Sequence, residues 1–145
     1  MIDPKTLHIG SHVIVDGVRA RVIRIDEPKD EHEIPPYTLL RFKAFIDGKW
    51  WNCGCPADAD KVEPIPITAE LLTELGFEKR ESGLFAKEYA PDSWIFLTIY
   101  TTKELCKVNV YPSDPRKEAS SVLNCYLHEL EAFLYLTTKT ELIKE

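Results

Sequence analysis

No apolar run in this 145-residue sequence is long enough to cross a bilayer; the longest, Trp94 to Leu97 and Ala132 to Leu136, fall far short of a spanning helix. The opening residues, Met1-Ile2-Asp3-Pro4-Lys5, lack the basic flank and apolar stretch of a secretion signal. A cytoplasmic protein with no membrane partner is the expectation. Cations are in deficit, 18 Lys and Arg against 24 Asp and Glu, which leaves a formal charge of −6. That balance argues against a dedicated nucleic-acid binder, whose affinity comes mainly from neutralising phosphates. Internal repeats and low-complexity tracts are also lacking. What is present, 44% hydrophobic and 29% charged residues, is the mixture of a globular chain. A chain of this length buries roughly 70% of the surface its unfolded form exposes, so its core requires neither disulfide nor metal.

The familiar catalytic signatures are missing as well. There is no G-x-S-x-G turn to hold a nucleophilic serine, no G-x-G-x-x-G and no Walker glycine-lysine loop. His128-Glu129 opens like a zinc-protease helix, but that chemistry needs a second imidazole four residues on, where Ala132 stands. The expected place of this His-Glu pair is the solvated side of a helix. Cys53-Gly54-Cys55 could offer two thiolates to zinc, yet a structural site needs four ligands and no second pair is spaced to supply them. The pair also lacks the C-x-x-C spacing of redox motifs. The expectation is a non-enzymatic chain with no cofactor, in which Cys53 and Cys55 sit on a turn and Cys106 and Cys125 are free thiols among apolar neighbours.

The first sixty residues read as short strands. His12 to Val15 is apolar, Asp16-Gly17 is a two-residue hairpin signal, and Val18 to Ile25 follows. Within that second strand Val18, Ala20 and Val22 are apolar on even positions, whereas Ile23 and Ile25 are odd. A slip of one residue in phase inside a strand indicates a bulge. The charged stretch Pro28 to Pro36 reads as an exposed loop, Tyr37 to Ile46 as a third strand, and Asp47-Gly48 as a turn into Lys49 to Asn52. Cys53 to Pro56 is expected to break that strand, and Lys61 to Glu63 to close the unit. The whole suggests a small SH3-like, bulged β-barrel over residues 1–63.

Pro64 and Pro66 bar a helix and mark a boundary. Residues 64–145 read as an α+β unit. Thr68 caps a short helix, Ala69 to Leu75, with Gly76 beyond its end. A hairpin follows over Phe77 to Tyr89, then strands at Trp94 to Thr102 and Leu105 to Tyr111. Leu123, Leu127, Leu130 and Leu134 recur at helical spacing, which predicts an amphipathic helix from Ser120 or Ser121 to the threonines at 137–140, covering the sheet. Glu141 to Glu145 reads as one further turn.

Pro64-Ile65-Pro66-Ile67-Thr68, then Leu71-Leu72, Leu75-Gly76-Phe77 and Tyr126-Leu127-His128-Glu129-Leu130 occur in the order of a known pattern. The chain resembles small proteins of phages, prophages and mobile elements of Bacteroides-type bacteria. These join a β-rich front, often opening like Leu7-His8-Ile9-Gly10, to a "PIPLT…LL…GF" segment and a "VHELQ…L" helix. The likeness spans most of the chain as short phrases. It departs at Leu127 and Glu131, where the group often has Val and Gln. It implies an accessory protein of a bacterial mobile element and brings no catalytic residue with it.

Trp50-Trp51 is the most suggestive binding feature. Adjacent residues of a strand face opposite sides, so one ring is expected in the core and the other outside, near Arg19, Arg21 or Arg41. Binding of a protein or small ligand through Trp50, Trp51, Arg21 and Arg41, or in a cleft between the two parts, is the leading expectation. The alternatives are a zinc- or thiol-dependent protein centred on Cys53 and Cys55, and a weak nucleic-acid contact through Arg19, Arg21 and Arg24.

Overall fold

A computed structural model of the chain describes residues 6–26, 32, 39–47, 49–56, 61–100 and 104–143. The loop expected over Pro28 to Pro36 lies outside the described residues except for His32. The chain divides into two compact units, Met1–Ile65 and Pro66–Glu145. Pro64 is a strand residue, opposite Val13.

The first unit is a five-stranded antiparallel sheet in the order β4-β3-β2-β1-β5. Its strands are β1 (His12–Val15), β2 (Val18–Asp26), β3 (Leu39–Ile46), β4 (Lys49–Pro56) and β5 (Val62–Pro64). Asp16 and Gly17 both have positive φ, 50° and 79°, the backbone of the tight turn whose twist matches its flanking strands. Val13, Val15, Ala20, Val22, Leu40, Phe42, Ala44, Cys55 and Val62 form the core, with Val22 and Phe42 paired across the ladder and fully buried. The phase slip is a bulge: β2 pairs Val22 with Phe42 and then Arg24 with Arg41, and Ile23 is the extra residue. Ile25 thereby returns to the core side, opposite Leu40.

Two expectations are corrected here. Among the described residues β4 and β5 do not pair, so the sheet has two edges and is not a closed barrel. Cys53 to Pro56 does not break β4 but continues it, with Gly54 opposite Arg41 and Pro56 opposite Leu39. An edge strand tolerates both residues. Proline at its end leaves no inner ladder donor missing, and a Cβ at Gly54 would press to 3.3 Å from the Leu40 carbonyl oxygen.

The second unit begins with α1 (Ala69–Glu74). Thr68 Oγ1 accepts the Leu71 N–H at 3.2 Å, and at the other end Gly76 N–H reaches Thr73 O while Phe77 N–H reaches Leu72 O. This is the glycine-dependent helix stop, with Gly76 at φ 91°. A second antiparallel sheet follows, ordered β10-β9-β8-β7-β6. It comprises β6 (Glu78–Glu81), β7 (Leu84–Ala90), β8 (Ser93–Tyr100), β9 (Leu105–Tyr111) and β10 (Ala119–Asn124). A 3-10 turn, Pro115–Lys117, precedes β10, and α2 (Leu127–Thr138) follows it. Phe85, Ile95, Leu97, Cys106, Val108 and Val110 line the buried side of the sheet.

The C-terminal helix starts later than its leucine spacing predicts. Residues 119–124 form β10, in register with β9 from Ala119 opposite Val110 to Asn124 opposite Leu105. Ser120-Ser121-Val122 favours a strand over a helix, and the four-residue step from Leu123 to Leu127 straddles the junction. In α2 the fully buried leucines are Leu127, Leu130 and Leu134. In the pair read as solvated, His128-Glu129, the histidine is buried and the glutamate half-buried; Glu131 is buried as well. The helix stops at Thr138, where Lys139 takes a left-handed φ of 58°, and residues 141–143 form no further helical turn.

Candidate functional site

Cross-strand partners in an antiparallel ladder share a face. In the first sheet Arg21 is opposite Lys43, Lys43 opposite Asn52, and Arg41 opposite both Arg24 and Gly54. All lie on the side away from Val22, Leu40 and Phe42. The bulge matters for this face, because it brings Arg24 to the side that Arg19 and Arg21 occupy. Without the extra residue Arg24 would point into the core. Asp26 partly neutralises the cluster: its carboxylate oxygens sit 2.7 Å from Arg24 Nε and 3.7 Å from Arg41 Nε.

Trp50 lies on the same face, opposite Phe45, and the Lys43 ammonium stands 4.4 Å from its ring centroid. A cation over a tryptophan face is attracted by the ring quadrupole and holds the indole in place. The cation on this ring is thus Lys43, which sequence reasoning did not name among the neighbours Arg19, Arg21 and Arg41. Trp51 is on the opposite side, across from Ala44. Neither ring fills the core as expected for one of them: Trp50 is 50% and Trp51 55% exposed. Both belong to an edge strand, so the two indoles flank a line of backbone that pairs, among the described residues, only with β3.

Cys53 and Cys55 share the core side of β4, opposite Phe42 and Leu40. Cys53 is exposed and Cys55 buried. Burial pushes the Cys55 thiol up, Lys61 draws it partly back, and Cys53 adds to the rise. A thiol held protonated is a poor metal ligand. Among the described residues, no three His, Cys, Asp or Glu side chains are grouped to hold a metal ion. A serine and a histidine do meet at Ser11 Oγ and His8 Nδ1, 2.7 Å apart, but Ser11 is wholly buried and also accepts the His8 N–H at 2.9 Å. This is a turn lock ahead of β1, with the serine buried and the histidine half-buried. His128 stacks on Tyr126, with ring centroids 6.1 Å apart.

Sequence reasoning also missed an aromatic stripe on the second sheet. Trp94 stacks with Phe96 at 6.3 Å, Phe96 meets Tyr111 edge-on at 5.6 Å, and the Arg80 guanidinium lies 5.4 Å from the Trp94 ring. The two-residue alternation of Trp94 and Phe96 was the available signal, hidden by the apolar residues on both faces of β8. Comparison with protein-family models and with curated proteins finds no match for this chain.

Proposed function

We propose that this chain is a non-enzymatic accessory binding protein of a phage or other mobile element, which takes up an extended segment of a partner protein along β4. The observation that carries the reading is the pair of half-exposed tryptophans on the two sides of an edge strand. Natural sheets protect such edges with charge. The β6 edge of the second sheet does so, with Glu78, Lys79, Arg80 and Glu81 all exposed. β4 instead offers Trp50 and Trp51. Covering the exposed half of each indole is worth about 2–3 kcal/mol per ring at roughly 25 cal/mol per Å². Strand addition would supply backbone hydrogen bonds, and the two faces would read alternate side chains. Arg41, Lys43 and Lys49 favour a segment bearing carboxylates beside apolar residues. The strand order β5-β1-β2-β3-β4 and the bulged β2 support an SH3-like path for this unit.

A second reading is a single-stranded nucleic acid on the outer face. It is favoured by the bulge, which aligns Arg19, Arg21 and Arg24 beside Arg41, Lys43 and a tryptophan suited to base stacking. The −6 charge of the whole chain opposes it.

Selection of displayed ten-residue peptides on the full chain tests the first reading. Acidic sequences with alternating apolar residues should be enriched, and Trp50→Ala and Trp51→Ala should each weaken the selected peptide at least tenfold. No enrichment, or equal binding by the double variant, overturns it. Preferential binding of an oligothymidine with a steep salt dependence would favour the second reading.

A further inference from the structure

Among the described residues the two sheets end in four edge strands, β4 and β5 in the first, β6 and β10 in the second. An open edge is a template for another strand unless charge, proline, brevity or a bulge blunts it. β5 is three residues long and carries Glu63 and Pro64. β6 consists of Glu78, Lys79, Arg80 and Glu81, and its register shifts between Lys79 and Glu81. β10 has none of these devices. Its six residues follow the β9 ladder without a shift, and no charged side chain occurs from Ala119 to Leu127. Val122 is 59% exposed, and Ser120 and Asn124, on the same face, are exposed too.

The ladder fixes which backbone groups of β10 look outward. The Cys125 N–H donates to Glu104 O at 3.1 Å, in the register that pairs Asn124 with Leu105. Hydrogen-bonded pairs alternate along an antiparallel ladder, so Leu123, Ser121 and Ala119 turn their N–H and C=O groups to β9. Ser120, Val122 and Asn124 turn theirs to the open edge. The Asn124 carbonyl accepts the Tyr126 N–H at 2.7 Å and retains a second lone pair.

We propose that β10 is a dimerisation edge, on which the β10 of a second copy of this chain pairs antiparallel about a two-fold axis. The contact is isologous, and the outward groups meet only when the axis passes through a residue position. Centred on Val122, each Val122 N–H donates to the other copy's Val122 carbonyl. Each Asn124 N–H then donates to Ser120 O, and each Ser120 N–H to Asn124 O. The two exposed valines stand opposite each other on one face, a β-branched cross-strand pair that excludes water. Charge decides the occupant. A foreign segment is selected by a charge or a large apolar side chain, and β10 presents only small polar groups and a valine. A second copy brings the same uncharged strand, so two chains of charge −6 meet where neither is acidic. A six-residue pairing is roughly 20 Å long and buries less than the ~1,200 Å² of stable interfaces, which makes the dimer weak and concentration-dependent.

Sedimentation velocity of the full chain from about 5 µM to about 1 mM tests the proposal. The weight-average mass should rise from one chain towards two across that range, and rise further in added salt, which screens the repulsion between two acidic chains. In NMR amide exchange, Ser120, Val122 and Asn124 should slow between dilute and concentrated samples. Ser121 and Leu123, bonded to β9, should not change. Val122→Lys sets two ammonium groups face to face at the axis and should move the monomer–dimer midpoint at least tenfold higher. Trp50→Ala with Trp51→Ala should leave that midpoint where it is, which separates this contact from docking on β4. A wild-type chain still monomeric at about 1 mM overturns the proposal. So does growth beyond two chains, a dimer that Val122→Lys leaves intact, or one whose three edge amides exchange as fast as in the monomer.

Discussion

At the scale of single residues, local chemistry fixes the ends of α1 and the 3-10 turn. Gly76 stops α1 in a left-handed conformation that a Cβ disfavours, and Lys87 Nζ donates to the carbonyl just past the helix end, Leu75 O, at 2.6 Å. Gly76→Ala should therefore cost about 1–2 kcal/mol in urea unfolding, and Thr68→Ala about 1 kcal/mol through the lost cap. Thr68 and Gly76 were legible in the sequence because caps act over three or four residues. Lys87 was not, since it reaches Leu75 only through the fold of β7. Asp114 gives a pH signature. The Arg116 side chain, and then its backbone N–H, hold the Asp114 carboxyl below the ordinary carboxylate range. A folded value below the unfolded one means that the charged form stabilises the fold at neutral pH. That contribution is lost as pH falls from the unfolded value through the lower folded one. Carboxyl-carbon NMR should show Asp114 titrating below a free aspartate, and Arg116→Ala should move it upward.

At the scale of elements, the bulge in β2 does two things at once: it turns Ile25 inward and aligns three arginines outward. Deleting Ile23 should reverse both, placing Arg24 toward the core and destabilising the first unit by more than the roughly 1.5–3 kcal/mol of one buried aliphatic side chain. Ile23→Ser, at a bulge residue 38% exposed, should stay within about 1 kcal/mol of wild type in the same unfolding assay. The slip was visible in the sequence because hydrophobic parity is a property of the strand itself. β4 and β10 were misread for a shared reason. Gly54 and Pro56 are breakers in isolation and acceptable on an edge, and Leu123 fits a helical spacing that only the β9 ladder overrules. Edge position and cross-strand pairing are long-range facts that a single strand's residues do not encode.

At the scale of the whole molecule, an acidic chain carries a local cationic face, built from Arg19, Arg21, Arg24, Arg41 and Lys43 with Asp26 among them. Attraction of an acidic segment to this face should weaken as salt rises toward the screening range of about 0.1–0.15 M, while the tryptophan contribution persists. The binding reading thus predicts a shallow salt dependence, against the steep one of phosphate neutralisation. No catalytic group was legible in the sequence, and the Ser11–His8 contact that the fold brings together locks a turn through a buried serine. What the sequence did show was Trp50-Trp51; what it withheld was that their strand lies at an edge, which turns an ordinary pair of strand residues into a candidate docking line. The most direct measurement is amide hydrogen exchange on the full chain, with and without a selected acidic peptide. The account predicts new protection along Lys49–Cys55, with shifts at the Trp50 and Trp51 indoles. Protection confined to the Trp94, Phe96 and Tyr111 face, with β4 unchanged, would contradict it.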